Sequence, residues 1–122
     1  MSITRLEVGQ RLSAAVVHGN TVYLAGQVAP DPSVGVKGQT EQILKKIDGL
    51  LAAAGTDKSK LLSATVWLAN IGSYDEMNAA WDAWLDRANP PARATVEARL
   101  AAPKYLVEIA ATANPPVCRL MD

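Results

Sequence analysis

Apolar residues recur along this chain with two different periods, and the order of those periods limits the folds open to it. Ile3 to Val8, Ser13 to Val17 and Thr21 to Ala25 are short apolar runs between turn residues and read as strands. From Thr40 the apolar positions Ile43, Leu44, Ile47, Leu50, Leu51 and Ala54 are spaced as one face of a helix. Leu61 to Ala69 returns to alternation, Met77 to Leu85 is helical again, and Arg93 to Leu100 and Tyr105 to Ala113 alternate once more. Strands, helix, strand, helix, strands, with no repeat and no linker, predict one α+β domain over residues 1–122: a mixed, mostly antiparallel sheet with both helices on one face.

Punctuation refines this reading. His18-Gly19-Asn20-Thr21 predicts a tight β-hairpin, and Pro30-Asp31-Pro32-Ser33-Val34-Gly35 a loop. Thr40 is the expected N-cap of the first helix and Gly55 its stop, with Gly49 a weak point inside. Ser73-Tyr74-Asp75-Glu76 has the spacing of a capping box for the second helix, which must end before Asn89-Pro90-Pro91. Ala101-Ala102-Pro103 is a short connection, so the last two strands are expected to pair antiparallel and to place Arg93 and Glu108 on one face. The face away from the helices carries polar groups beside Trp67, Leu106 and Ala110, and is expected to meet another subunit.

Composition closes off several function classes. Twelve Lys and Arg balance twelve Asp and Glu, so no global field holds a polyanion and nucleic-acid binding is not expected. One cysteine, Cys118, and one histidine, His18, offer neither an internal disulfide nor a structural zinc set, so no metal is expected. No run approaches a membrane span, Met1-Ser2-Ile3-Thr4-Arg5 lacks a signal-peptide core, and the expected location is cytoplasmic.

Two side chains stand out chemically. Arg93 follows the rigid Asn89-Pro90-Pro91-Ala92 entry into a strand, where its planar fork could grip a carboxylate; a surface arginine at a strand end is the competing reading. Glu108 is a carboxylate in an otherwise apolar strand, suited either to proton transfer or to a structural ion pair with Arg99 or Lys104. His18 reads as a turn residue, and Trp81 and Trp84, at helical spacing from Met77, as core anchors. Gly35-Val36-Lys37-Gly38 is too short for a phosphate loop.

Taken in order, Val22-Tyr23-Leu24-Ala25-Gly26-Gln27-Val28, the helix ending in Ala-Ala-Ala-Gly, Ala64-Thr65-Val66-Trp67-Leu68, Met77-Asn78-Ala79-Ala80-Trp81, Pro91-Ala92-Arg93-Ala94-Thr95-Val96-Glu97 and Val107-Glu108-Ile109 resemble the RidA/YjgF family over nearly the whole chain. The resemblance implies a chorismate-mutase-like fold, a homotrimer with clefts between subunits, and cofactor-free hydrolysis of reactive enamines and imines such as 2-aminoacrylate to 2-keto acids and ammonia. It assigns Arg93 to the substrate carboxylate, Glu108 to the attacking water, and Gly26 and the Thr95 backbone to the lining of the substrate pocket. Ala25 stands where deaminases commonly have serine, Thr95 where many have cysteine, and Arg11-Leu12-Ser13-Ala14-Ala15 lacks the Gly-Pro-Tyr of the best-studied branch. The alternative is a trimer that captures keto or amino acids without turnover, and ribonuclease activity ranks last.

Overall fold

A computed structural model describes residues 2–115. The strands β1 (Ile3–Val8), β2 (Ser13–His18) and β3 (Thr21–Gln27) precede helix α1 (Val36–Ala53); β4 (Leu61–Leu68) precedes helix α2 (Tyr74–Trp84); β5 (Ala92–Glu97) and β6 (Val107–Ala113) follow. They form a single six-stranded sheet in the order β1-β2-β3-β6-β4-β5. The first three strands are a meander, joined at His18 and Thr21 by a two-residue turn in which Gly19 takes the positive φ of 60° that twists the hairpin correctly.

β6 lies between β3 and β4 and is antiparallel to both, so β3 and β4 run parallel to each other. β4 and β5 pair in parallel directly, with α2 as the crossover. This corrects the expectation that β5 and β6 are antiparallel neighbours. The connection through Ala101-Ala102-Pro103 is short, but β4, α2 and β5 form a strand-helix-strand unit that occupies the position beside β4. β6 pairs on the other side of β4, where both its edges are satisfied.

Both helices cover one face. Ala15, Val17, Val22, Leu24, Ala64, Val66, Leu68, Ile109 and Ala111 point from the sheet into one core with Ile43, Leu44, Ile47 and Leu51 of α1 and Met77 and Trp81 of α2. Helix α1 begins four residues before the expected cap, with Gly35 at the N-cap position. Thr40 is inside the helix, fully buried, and its hydroxyl donates to the Val36 carbonyl at 2.8 Å. Its far end closes as a Schellman motif, with Gly55 N–H on Ala52 O and Thr56 N–H on Leu51 O.

The capping box of α2 does not form either. A 3-10 turn over Ile71–Ser73 runs straight into α2, so Ser73 lacks the extended backbone that a cap requires. Its hydroxyl instead donates to Asn70 O at 2.7 Å, while Asp75 and Glu76 in the first turn complement the helix dipole. No helix of the described residues is long and apolar enough to cross a membrane. Cys118 lies outside the described residues.

Candidate active site

The register fixes where each candidate points. Arg93 pairs with Ala64 and Thr95 with Val66, so both extend on the helix-covered side of the sheet. Glu108 pairs with Trp67, on the opposite face. Trp67 is in turn opposite Val96, so Glu108 and Arg93 are separated by β4 laterally and by three residues along the strands. One chain therefore does not bring them together, contrary to the expectation of a shared face.

Arg93 is held by a single stripe of α2. Its Nη1 donates to Asn78 Oδ1 at 2.8 Å and approaches Met77 Sδ at 4.0 Å, and its Nη2 donates to the Tyr74 hydroxyl at 3.1 Å. The guanidinium carbon also lies 5.0 Å from the Trp81 ring centroid and 5.8 Å from that of Tyr74. Tyr74, Met77, Asn78 and Trp81 follow the i, i+3, i+4, i+7 spacing that puts residues on one helix face. All of these partners are neutral. They fix the direction of the cation and, among the described residues, leave it without a carboxylate partner, with further N–H donors to offer.

Among the described residues, the sheet edge beside Arg93 is also open. In a parallel ladder the N–H and C=O of one residue point to the same side. Ala98 N–H reaches Leu68 O at 2.9 Å, so Ala94 and Val96 turn their backbone groups to β4. The backbone groups of Arg93, Thr95 and Glu97 consequently point to the free edge of the sheet. The Thr95 hydroxyl is buried and is the one such side-chain polar atom without a hydrogen-bond partner among the described residues.

The second group lies where β3 irregularly pairs with β6. Between Leu24 and Gln27 the register shifts by one, and Gln27 Nε2 donates to Ala25 O at 2.9 Å across the bulge. The bulge presents Gly26 to the Glu108 carboxylate so closely that a Cβ there would lie 2.1 Å from Glu108 Oε2. Glycine at 26 thus serves as clearance for that carboxylate. Glu108 forms no ion pair with Arg99 or Lys104; the Lys104 ammonium instead lies over the Tyr105 ring, 5.3 Å from its centroid. Glu97 accepts from Ile71 N–H at 3.0 Å and anchors the turn leading into α2.

A separate cleft of about 790 Å³ opens at the carboxyl end of β5, lined by residues that include Glu97, Arg99, Leu100, Pro103 and Tyr105. None of Arg93, Thr95, Gly26 or Glu108 lines it. No group of His, Cys, Asp and Glu side chains among the described residues is arranged to hold a metal ion. His18 is exposed at the β2–β3 turn, as its position in the sequence suggested.

Sequence reading missed the residues that hold Arg93. Met77 and Trp81 were legible as an apolar stripe, and Tyr74 and Asn78 continue the same stripe. What was not legible was that an arginine from a strand would lie along it.

The mixed sheet with two helices on one face, an open β5 edge and an arginine held beside it define an α+β protein with a candidate site at the sheet edge. Residues 2–114 match the family described as Endoribonuclease L-PSP. A RutC family protein of Haemophilus ducreyi is 50% identical over 111 residues, covering 91% of this chain and 95% of that protein. The RutC family protein YoaB of Escherichia coli K12 is 41% identical over 109 residues, covering 89% and 95%. A crystal structure of a YjgF family member from Neisseria meningitidis superposes with a TM-score of 0.93 at 40% identity, covering 95% of this chain and 97% of that one. The chain belongs to the RutC/YjgF family.

Proposed function

We propose that this protein hydrolyses small imines and enamines that carry a carboxylate, of the 2-aminoacrylate type, to 2-keto acids and ammonia, in clefts between the subunits of a cytoplasmic homotrimer. The observation that carries this reading is the Arg93 guanidinium, directed by Asn78 and Tyr74 and flanked by Trp81. A cation fixed by neutral groups suits a planar carboxylate, which it binds through two parallel hydrogen bonds. The open-edge amide of Thr95 stands beside it as a further donor.

Because Arg93 and Glu108 occupy opposite faces of one sheet, a complete site combines Arg93 and Thr95 of one subunit with Glu108 and Gly26 of a neighbour. The uncovered sheet face supports this assembly: Tyr23 is 48% exposed and Val96 46%, beside the half-buried Trp67. Chemically, an enamine gains a proton at its methylene carbon and loses one from nitrogen to give the imine. Water then adds across C=N, its oxygen bonding to carbon. Glu108 takes a proton from that water and returns it to the nitrogen, giving a carbinolamine; it then carries the hydroxyl proton to the same nitrogen as the C=O bond forms, the C–N bond breaks and ammonia leaves. An imine is already electrophilic, so orientation and proton transfer carry most of the catalysis, and no cofactor is required.

The test generates 2-aminoacrylate and bulkier amino-acid imines in situ and compares keto-acid release by the wild-type protein, Arg93→Ala and no protein. Acceleration that disappears in Arg93→Ala is the expected result. A second reading, capture of a keto or amino acid without turnover, is favoured by Ala25, which puts a methyl rather than a hydroxyl in the bulge next to Gly26. It predicts keto-acid binding that depends on Arg93 with no acceleration of any imine. RNA cleavage, suggested by the description of the matched family, has less support: the net charge is zero and the lone His18 sits at an exposed turn.

A further inference from the structure

Outside the groups already described, one polar side chain is buried completely and uses both ends of its amide. Gln39, in the first turn of α1, is 0% exposed. The two hydrogens on its Nε2 are shared among Pro32 O at 3.1 Å, Val34 O at 3.0 Å and Lys104 O at 3.1 Å, and its Oε1 accepts from Leu106 N–H at 3.0 Å. A buried amide is costly to leave without partners, so these four backbone groups hold the Gln39 side chain in place. The helical apolar stripe of α1 passes through it, with Ile43 and Ile47 at the next two turns.

Its partners belong to two connections that end at the candidate site. Pro32 and Val34 are in the loop that leaves β3 just beyond Gly26. Lys104 and Leu106 are in the segment that enters β6 just before Glu108. Leu106 is fixed a second time, because its carbonyl accepts from Ala69 N–H at 3.0 Å. A single side chain therefore ties the loop that follows β3, the strand of Gly26, to the segment that enters β6, the strand of Glu108.

We propose that Gln39 is a positioning residue that sets the Glu108 carboxylate over Gly26. This deepens the imine-hydrolysis reading and rests on it for its kinetic consequence. Gln39 makes no hydrogen bond to Arg93 or to its holders on α2, so carboxylate binding and proton transfer can be read separately. Loosening the Gln39 clamp lets the β6 entry and the Glu108 carboxylate shift, and a displacement near 1 Å at a reacting group costs about tenfold or more in rate.

The experiment replaces Gln39 by Met, which keeps length and removes every hydrogen bond, and by Glu, which retains the acceptor that Leu106 uses. On an imine substrate, Gln39→Met should lower kcat about tenfold with KM unchanged within about twofold. In a Glu108→Gln background the same substitution should have no further effect on kcat, because there is no longer a carboxylate to misplace. Equal losses of kcat in both backgrounds, or a change confined to KM, would overturn the proposal by showing a merely structural role. Where a variant unfolds, the other carries the test.

A readout without turnover separates this proposal from the functional reading. In carboxyl-labelled protein, the Glu108 carbon signal should shift or broaden in Gln39→Met while the Arg93 Nε signal stays in place. An unchanged Glu108 signal sinks the positioning role. If wild-type protein accelerates no imine yet the Glu108 signal moves, imine hydrolysis fails and the positioning role stands.

Discussion

The Arg93 pocket and the Glu108 corner differ in how the fold makes them. Arg93 is defined by contacts: two hydrogen bonds from α2, two aromatic rings and a thioether surround one guanidinium. Glu108 is defined by clearance, in which a β3 bulge places a residue without a side chain beneath its carboxylate. The first region is complete within one chain and has the rigidity of a helix packed in the core. The second lies on the sheet face opposite the two helices, which no other element of the described residues covers. The placement of Arg93 and Glu108 on opposite faces of one sheet is the reason the proposed chemistry calls on a second copy of the chain.

The comparison can be broken at either end. Arg93→Ala should reduce kcat/KM for an imino acid by about 10²–10³-fold, from two lost charge-assisted hydrogen bonds at roughly 1.5–3 kcal/mol each that are not fully additive. Steady-state kinetics will show whether the loss is chiefly in KM. Glu108→Gln should act on kcat, by about 10²-fold, the lower range for loss of a general acid-base, with keto-acid binding preserved in calorimetry. A KM effect from Glu108→Gln equal to that of Arg93→Ala would erase the distinction between the two regions.

Gly26→Ala sharpens it. The added methyl meets the far end of a flexible side chain, so the protein should fold with little change in Tm while the carboxylate is pushed aside and kcat drops by about tenfold. Tyr74→Phe keeps the ring beside Arg93 and removes one hydroxyl, and a KM increase of about fivefold, ~1 kcal/mol, is expected with kcat unaltered. Gly49→Ala is the control that should touch neither region. Position 49 is exposed in the middle of α1 with open space where the methyl would go, so the substitution should raise stability in urea unfolding by about 0.5–1 kcal/mol without changing turnover.

Much of this was legible before any coordinates. The alternation of Leu62, Ala64, Val66 and Leu68 against Ser63, Thr65 and Trp67 assigns the side chains of β4 to its faces, and the structure keeps them from Ser63 to Leu68; Leu62 is exposed instead and Leu61 buried, because the pairing with β6 shifts register between Leu61 and Ser63. The hairpin at Gly19 and the spacing of Ile43, Ile47 and Leu51 were equally plain. The helix starts were not. Thr40 and Ser73 are residues that cap helices, but packing of the helix N-terminal turns extends α1 back to Val36 and merges α2 with the turn before it. Tyr74 and Asn78 carried no sign that they would hold an arginine, because their role depends on a strand closing beside α2.

The sequence by itself determined the α+β class, the division of side chains between the two faces along most of each strand, and the two ionisable groups on which the proposed chemistry rests. These are local properties, set by periods of two and 3.6 residues that each short segment carries. Strand order, the parallel sense of β5 and the insertion of β6 between β3 and β4 were decided only by the tertiary structure. A period-two pattern states which residues share a face, not which strand lies alongside or in which direction it runs. That choice is made by distant partners competing for the same edges, and it sets Arg93 and Glu108 on opposite sides of the sheet.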